Sequence, residues 1–175
     1  MENLKSLDEI HKIDERHVLL EQITGRVLNL EKLHAAVSEI NLNSTVPEKI
    51  RGQFNVARNM AIYTYFMYSL APEVHMKTYS VMEMALRDFY DGDEKTNLKT
   101  LVRKAVESGV IQDAGFRHVP DNQENSYSKN FVDIYPKLRN SMAHGSSMLT
   151  PDCIDNIERC ADFVNQLFPT EKATV

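Results

Sequence analysis

Few cysteines, no long apolar run and no strand-like alternation mark this 175-residue chain, and each lack excludes something. The longest apolar stretch, "MAIYTYFMYSL" at 60–70, is broken by Pro72 and falls short of the ~20 residues that span a bilayer. No membrane role is expected. The opening "MENLKSLDEIHKIDERH" is charged throughout and has no apolar h-region, so nothing marks it for export and a cytoplasmic location is the expectation. The two cysteines, Cys153 and Cys160, fall on one expected helix. At ~1.5 Å rise per residue they stand ~10 Å apart, too far to bridge, and read as core thiols. There is no CxxC or HExxH spacing, and His11, His17, His34, His75 and His118 are scattered. Neither a metal nor a cofactor is expected.

Positive charge is also scarce: 20 Lys and Arg against 25 Asp and Glu leave a net charge of −5. That balance works against charge-driven binding to a polyanion, so any nucleic-acid site must be local and shape-dependent, and DNA is not an expected partner. What is present, 42% hydrophobic and 26% charged residues, is the composition of a globular domain with one core.

Apolar residues at Ile13, Leu20, Ile23, Val27, Leu30, Val37 and Ile40 form one stripe, which predicts a long helix over 7–40 within an N-terminal segment 1–44. That segment would pack on the bundle or at a dimer interface, with Gly25 marking a bend. Pro47 suits the first turn of a second helix, 47–70. A third, 72–90, turns Val74, Val81, Met84, Ala85 and Phe89 to the core. Thr96 or Asn97 can cap a short helix that stops at Gly109. Residues 112–126 lack periodicity and read as a long loop. A helix over 127–143 would face inward through Phe131, Ile134, Leu138 and Met142, kinked or restarted at Pro136. Thr150, Pro151 and Asp152 read as the start of a last helix, with Ile154, Ile157, Ala161, Val164 and Phe168 inward. The fold class is therefore all-α, a bundle of five or six helices, with a helical domain at 45–170 and a disordered tail at 171–175.

One stretch carries chemistry: "KLRNSMAHGSSMLTP" at 137–151. Histidine can exchange a proton near neutral pH; arginine stays charged and can hold two phosphate oxygens; asparagine adds neutral hydrogen bonds. Asn140 and His144 are i and i+4 on one helix face, and Arg139 lies about 140° around from His144 at ~100° per residue. Gly145 lets the chain leave at once. Attack of an RNA 2′-hydroxyl on its neighbouring phosphate needs a base, an acid and a cation, and no metal. One chain offers one such His, so a two-fold dimer would supply the second. The Arg-Asn pair recurs at 58–59 without a His.

With "YPKLRNSMAHG" preceded by the "VMEMALRDF" helix and followed by a Thr-Pro-capped helix, residues 45–168 resemble the HEPN superfamily (higher eukaryotes and prokaryotes nucleotide-binding domain). Its hallmark is an Arg, usually followed by a polar residue, with a His four to six positions after the Arg near the end of the penultimate core helix. Arg139, Asn140 and His144 match in order, and Ser141 is a supporting candidate. The resemblance implies an all-α bundle that dimerises around the motif. Many members are metal-independent ribonucleases of toxin–antitoxin, phage-defence or RNA-processing systems; others have lost catalysis and act as binding modules. RNA, a second copy of the chain, and an antitoxin or defence-system protein are the partners it implies. In one toxin branch a Tyr lies two residues after the His; here that position is Ser146, a departure from that branch.

Two further features have paired readings. Glu83 can orient Arg139 or a substrate water, since similar members carry an acidic residue in a comparable helix, or it can pair with Arg87 at i+4. Lys99 and Arg103, with Lys137, can track an RNA backbone or form a solvated face.

Overall fold

In the computed structural model, residues 3–25, 27–91, 95–120, 124–144 and 153–170 are described. They form α1 (Glu15–Thr24), α2 (Leu30–Glu39), α3 (Glu48–Tyr63), α4 (Ala71–Phe89), α5 (Leu98–Glu107), α6 (Ser126–Ala143) and α7 (Ile154–Leu167). The chain is all-α: the described residues hold no strand and seven α-helices, where five or six helices were expected. The tail 171–175 and the expected cap at Thr150, Pro151 and Asp152 lie outside the described residues.

α4 occupies the centre, touching α3 and α7 most extensively and α5 and α6 as well. It begins with Pro72 in its first turn, where a missing N–H costs nothing. Its buried residues spread beyond one stripe, from Val74 and His75 through Thr78, Val81, Met82 and Ala85 to Leu86, because neighbours cover it from several sides. Phe89, expected in the core, sits at its rim and meets Phe168 edge to face at 5.8 Å. Both cysteines are free and buried, and burial pushes the Cys160 thiol far up.

The expected 7–40 helix is two helices. Gly25 adopts φ +68° and its N–H bonds to the Glu21 carbonyl at 2.8 Å, ending α1. Asn29 then caps α2, accepting from the Lys32 N–H at 2.7 Å. A left-handed stop followed by a fresh cap outweighs the continuity of the apolar stripe. Only its second half is inside: Val37 and Ile40 are buried, whereas Ile23 and Val27 are 71% and 58% exposed. The predicted 47–70 helix likewise stops at Tyr63, where the Thr64 hydroxyl turns back to the Ala61 carbonyl at 2.6 Å.

α1 buries no side chain, and a polar latch fixes it. The Asp14 carboxylate accepts from the Tyr68 N–H at 2.9 Å and the Arg16 N–H at 3.0 Å, while the Asp14 N–H reaches the Tyr65 carbonyl. Lys5 donates to the Phe66 carbonyl at 2.7 Å, and His17 bonds the Thr64 carbonyl at 2.8 Å. Burial pushes the Asp14 carboxyl up, but the bonds from Arg16 and Tyr68 and the charges of Arg16 and Lys5 outweigh it, and the net shift is downward. A carboxyl lowered in the folded state adds stability that is complete above the unfolded pKa of ~3.9 and is lost as pH falls through the lower folded value. We therefore expect α1 to stay docked at neutral pH and to loosen as pH falls below ~4, with Tyr68 losing amide-exchange protection before the α4 core does. Equal loss in both would overturn this.

α6 corrects the sequence reading most. It runs unbroken through Pro136, and its buried residues are Ser128, Val132 and Tyr135. Ile134 and Leu138, expected inside, are 51% and 43% exposed, while Phe131 and Met142 are half-buried. Two distant partners set this rotation. The Tyr135 hydroxyl donates to the Tyr79 carbonyl at 2.7 Å. The buried Asp113 carboxylate accepts from the Tyr127 N–H at 3.1 Å, the Ser128 N–H at 2.7 Å and the Ser128 hydroxyl at 2.6 Å. Asp113 thus caps α6 from within the segment read as a plain loop.

Candidate functional site

The C-terminal half of α6 presents different residues to different neighbours. At ~100° per residue, Asp133, Lys137, Asn140 and His144 fall within one narrow sector, with Ser141 beside it. All five are exposed. His144 is the C-terminal cap, its N–H bonded to the Asn140 carbonyl at 3.2 Å. Gly145 and Ser146 lie outside the described residues.

Arg139 lies on another flank, about 140° from His144 at ~100° per residue. Its side chain is 33% exposed and runs to α4, where Nε stands 3.3 Å from Glu83 Oε2. The distance is that of an ion pair, but the buried Nε–H is not aligned into a hydrogen bond. Glu83 Oε1 meanwhile accepts from Arg87 Nε at 3.2 Å and Nη2 at 2.8 Å, and Arg87 also reaches the Thr96 carbonyl. Glu83 therefore has two partners at once, Arg87 at i+4 and Arg139 across the α4–α6 seam. Beside it opens a groove of about 480 Å³ that includes Ser80, Glu83, Arg87 and Asp88.

The three basic candidates converge from two helices. Lys99 pairs with Asp133, tying α5 to α6. The Asp133 carboxyl is held below its usual range by the bond and charge of Lys99, then by the charges of Lys137 and Arg103. Lys99, Arg103 and Lys137 thus share one locale, with an acid at its centre. The second Arg-Asn pair serves the fold, since Arg58 caps the end of α2 by donating to the Val37 carbonyl at 3.1 Å and the Ser38 carbonyl at 3.0 Å.

The structure accordingly gathers Lys137, Asn140, Ser141 and His144 on one face with Lys99 and Arg103 nearby, and holds Arg139 with Glu83 beside it. The i+4 spacing signalled the Arg87 pairing in the sequence, whereas the approach of Arg139 to Glu83 shows only in the helix packing. Among the described residues, no three His, Cys, Asp or Glu side chains gather as a metal site would need, and no helix is long and apolar enough to cross a membrane. The class these features define is an all-α helical protein that carries Arg139, Asn140 and His144 at the end of α6, the penultimate helix among the described residues. No protein-family model, curated protein or solved structure matches the chain.

Proposed function

We propose that this chain is an endoribonuclease of HEPN type, a homodimer that cuts RNA without a metal in a toxin, phage-defence or RNA-processing role in the cytoplasm. The observation that carries the reading is His144, exposed at the end of α6 one turn beyond exposed Asn140, with Arg139 on the adjoining flank of the same helix, half-buried against Glu83. In a two-fold dimer the two α6 ends line one cleft. One His144 takes the proton of the 2′-hydroxyl; the 2′-oxygen bonds to phosphorus; the 5′-oxygen leaves with a proton from the second His144. The products are a 2′,3′-cyclic phosphate and a free 5′-hydroxyl. Arg139 balances the charge on the phosphate and Asn140 positions it. An antitoxin or defence-system protein is the regulatory partner this reading implies.

The test is incubation of purified protein with mixed structured and unstructured RNA in EDTA. Cleavage by the wild type with cyclic phosphate ends, lost in Arg139→Ala, supports the reading. A folded, dimeric wild type that binds RNA without cutting it favours a second one, a non-catalytic HEPN-like module for a nucleotide, an RNA or a protein. The Arg139–Glu83 ion pair, the acid inside the basic cluster and the net charge of −5 support that alternative.

A further inference from the structure

On another side of α6, between it, α4 and α7, lies a cavity of about 420 Å³ that the proposed cleavage does not use. This size falls in the range of ~300–1,000 Å³ typical of small-molecule sites. Its walls are chiefly aromatic. Tyr79 comes from α4, and Tyr127, Phe131 and Tyr135 from successive turns of α6, with Phe131 stacked on Tyr135 at 5.0 Å and an interplanar angle of 5°. Ile134 and Leu138, the apolar residues left outside the core, line it as well, which accounts for their position on a helix face that is otherwise wet.

The charge inside is one-sided. In a chain with net charge −5, none of the described lining residues is acidic, and the one fixed cation among them is Arg159 of α7. Its side chain is 40% exposed and its carboxylate neighbour, Asp155, stands 3.9 Å away, at the outer limit of an ion pair. The nearby Asp162 and Glu158 are taken by Arg117, at 2.8 Å and 3.6 Å. His118, edge-on to Tyr127 at 5.1 Å, is held down first by burial and then by the Arg159 charge, against the pull of Asp162, Asp155 and Glu158. Arg159 lines the same cavity as Tyr79 and Tyr127, so the guanidinium and the aromatic walls border a common space.

We propose that this cavity binds a small planar aromatic monocarboxylate, its ring among Tyr79, Tyr127 and Phe131 and its carboxylate on Arg159. A single guanidinium matches one carboxylate, whereas a polyphosphate needs several cations. Aromatic walls favour a flat ring through offset and edge contacts. A cationic ligand meets Arg159 and no acid among the described lining residues. The site stands independently of RNA cleavage, although Leu138 and Met82, two of its lining residues, immediately precede Arg139 and Glu83 in the chain.

The test is methyl NMR of the full chain carrying labelled methionine, titrated with 2-naphthoate. The expected result is a saturable shift of the Met82 methyl, with Met60 on α3 unmoved. Arg159→Gln, at an exposed position, should keep the melting temperature and weaken binding about tenfold or more, as should replacing the acid by 2-naphthamide. Ile134→Trp, which fills the mouth, should abolish the shift. No saturable shift with the folded wild type overturns the proposal. So does binding that Arg159→Gln leaves unchanged, and so does displacement of 2-naphthoate by lower concentrations of AMP, which would make this a nucleotide site.

Discussion

If the chain cleaves RNA as proposed, His144→Ala should lower EDTA-resistant cleavage by about 10²–10⁴-fold, the usual worth of a positioned general acid or base, and should leave the fold intact. The fold survives because the side chain is exposed and its backbone N–H, which closes the last turn of α6, is retained. His144→Asn is the sharper control. Asparagine suits a helix end as well as histidine does, so it separates loss of proton transfer from fraying of the cap. If both chains contribute a His144 to one cleft, mixing wild type with His144→Ala should yield heterodimers as impaired as the variant, because each cleft then lacks its base or its acid. Heterodimers with half the wild-type rate would mean that each His144 works alone. Cleavage equal in wild type and His144→Ala would end the ribonuclease assignment. Glu83→Gln probes the anchor: with its charge removed, Arg139 loses its ion-pair partner, and we expect a loss concentrated in kcat, with KM little changed.

Asp113→Ala should strongly destabilise the helix that carries the site, by freeing its start. The carboxylate is fully buried and receives two backbone N–H groups and a hydroxyl at the start of α6. Removing it leaves those donors without an acceptor, at roughly 1–3 kcal/mol for each that water cannot reach. The total should be about 3 kcal/mol, or a fall in Tm of ~6–12 °C for a chain of this size. Asp113→Asn keeps one acceptor oxygen and should lose less. Thermal unfolding followed by helical circular dichroism reads both; an unchanged Tm for Asp113→Ala would show that α6 is held by its packing alone.

Much of the fold was legible because most helices carry their own start and stop signals. Asn97 caps α5, accepting from the Lys99 N–H, and Gly109 follows at φ +73°, as their residue types indicate. The inward side of α6 was not legible. That helix has two apolar flanks, and periodicity alone favoured Ile134 and Leu138. The choice fell to the Tyr135 hydroxyl and to Asp113, whose partners lie 56 and 15 residues away along the chain. The order Arg139, Asn140, His144 was plain from the sequence, but the direction each side chain takes was not. Glu83 decides where Arg139 goes, and the decision is made only once α4 and α6 pack.

The latch at Asp14 also determines how freely the first part of the chain can change. Because α1 hides no side chain, its outward residues have no shape to match, and Val18, Leu19 and Ile23 can be exchanged for polar residues with little effect on folding. Asp14 has no such freedom, since two backbone N–H groups depend on its carboxylate. In a library of this chain selected for folding alone, variation should therefore crowd onto α1 and leave one acidic position in front of it untouched.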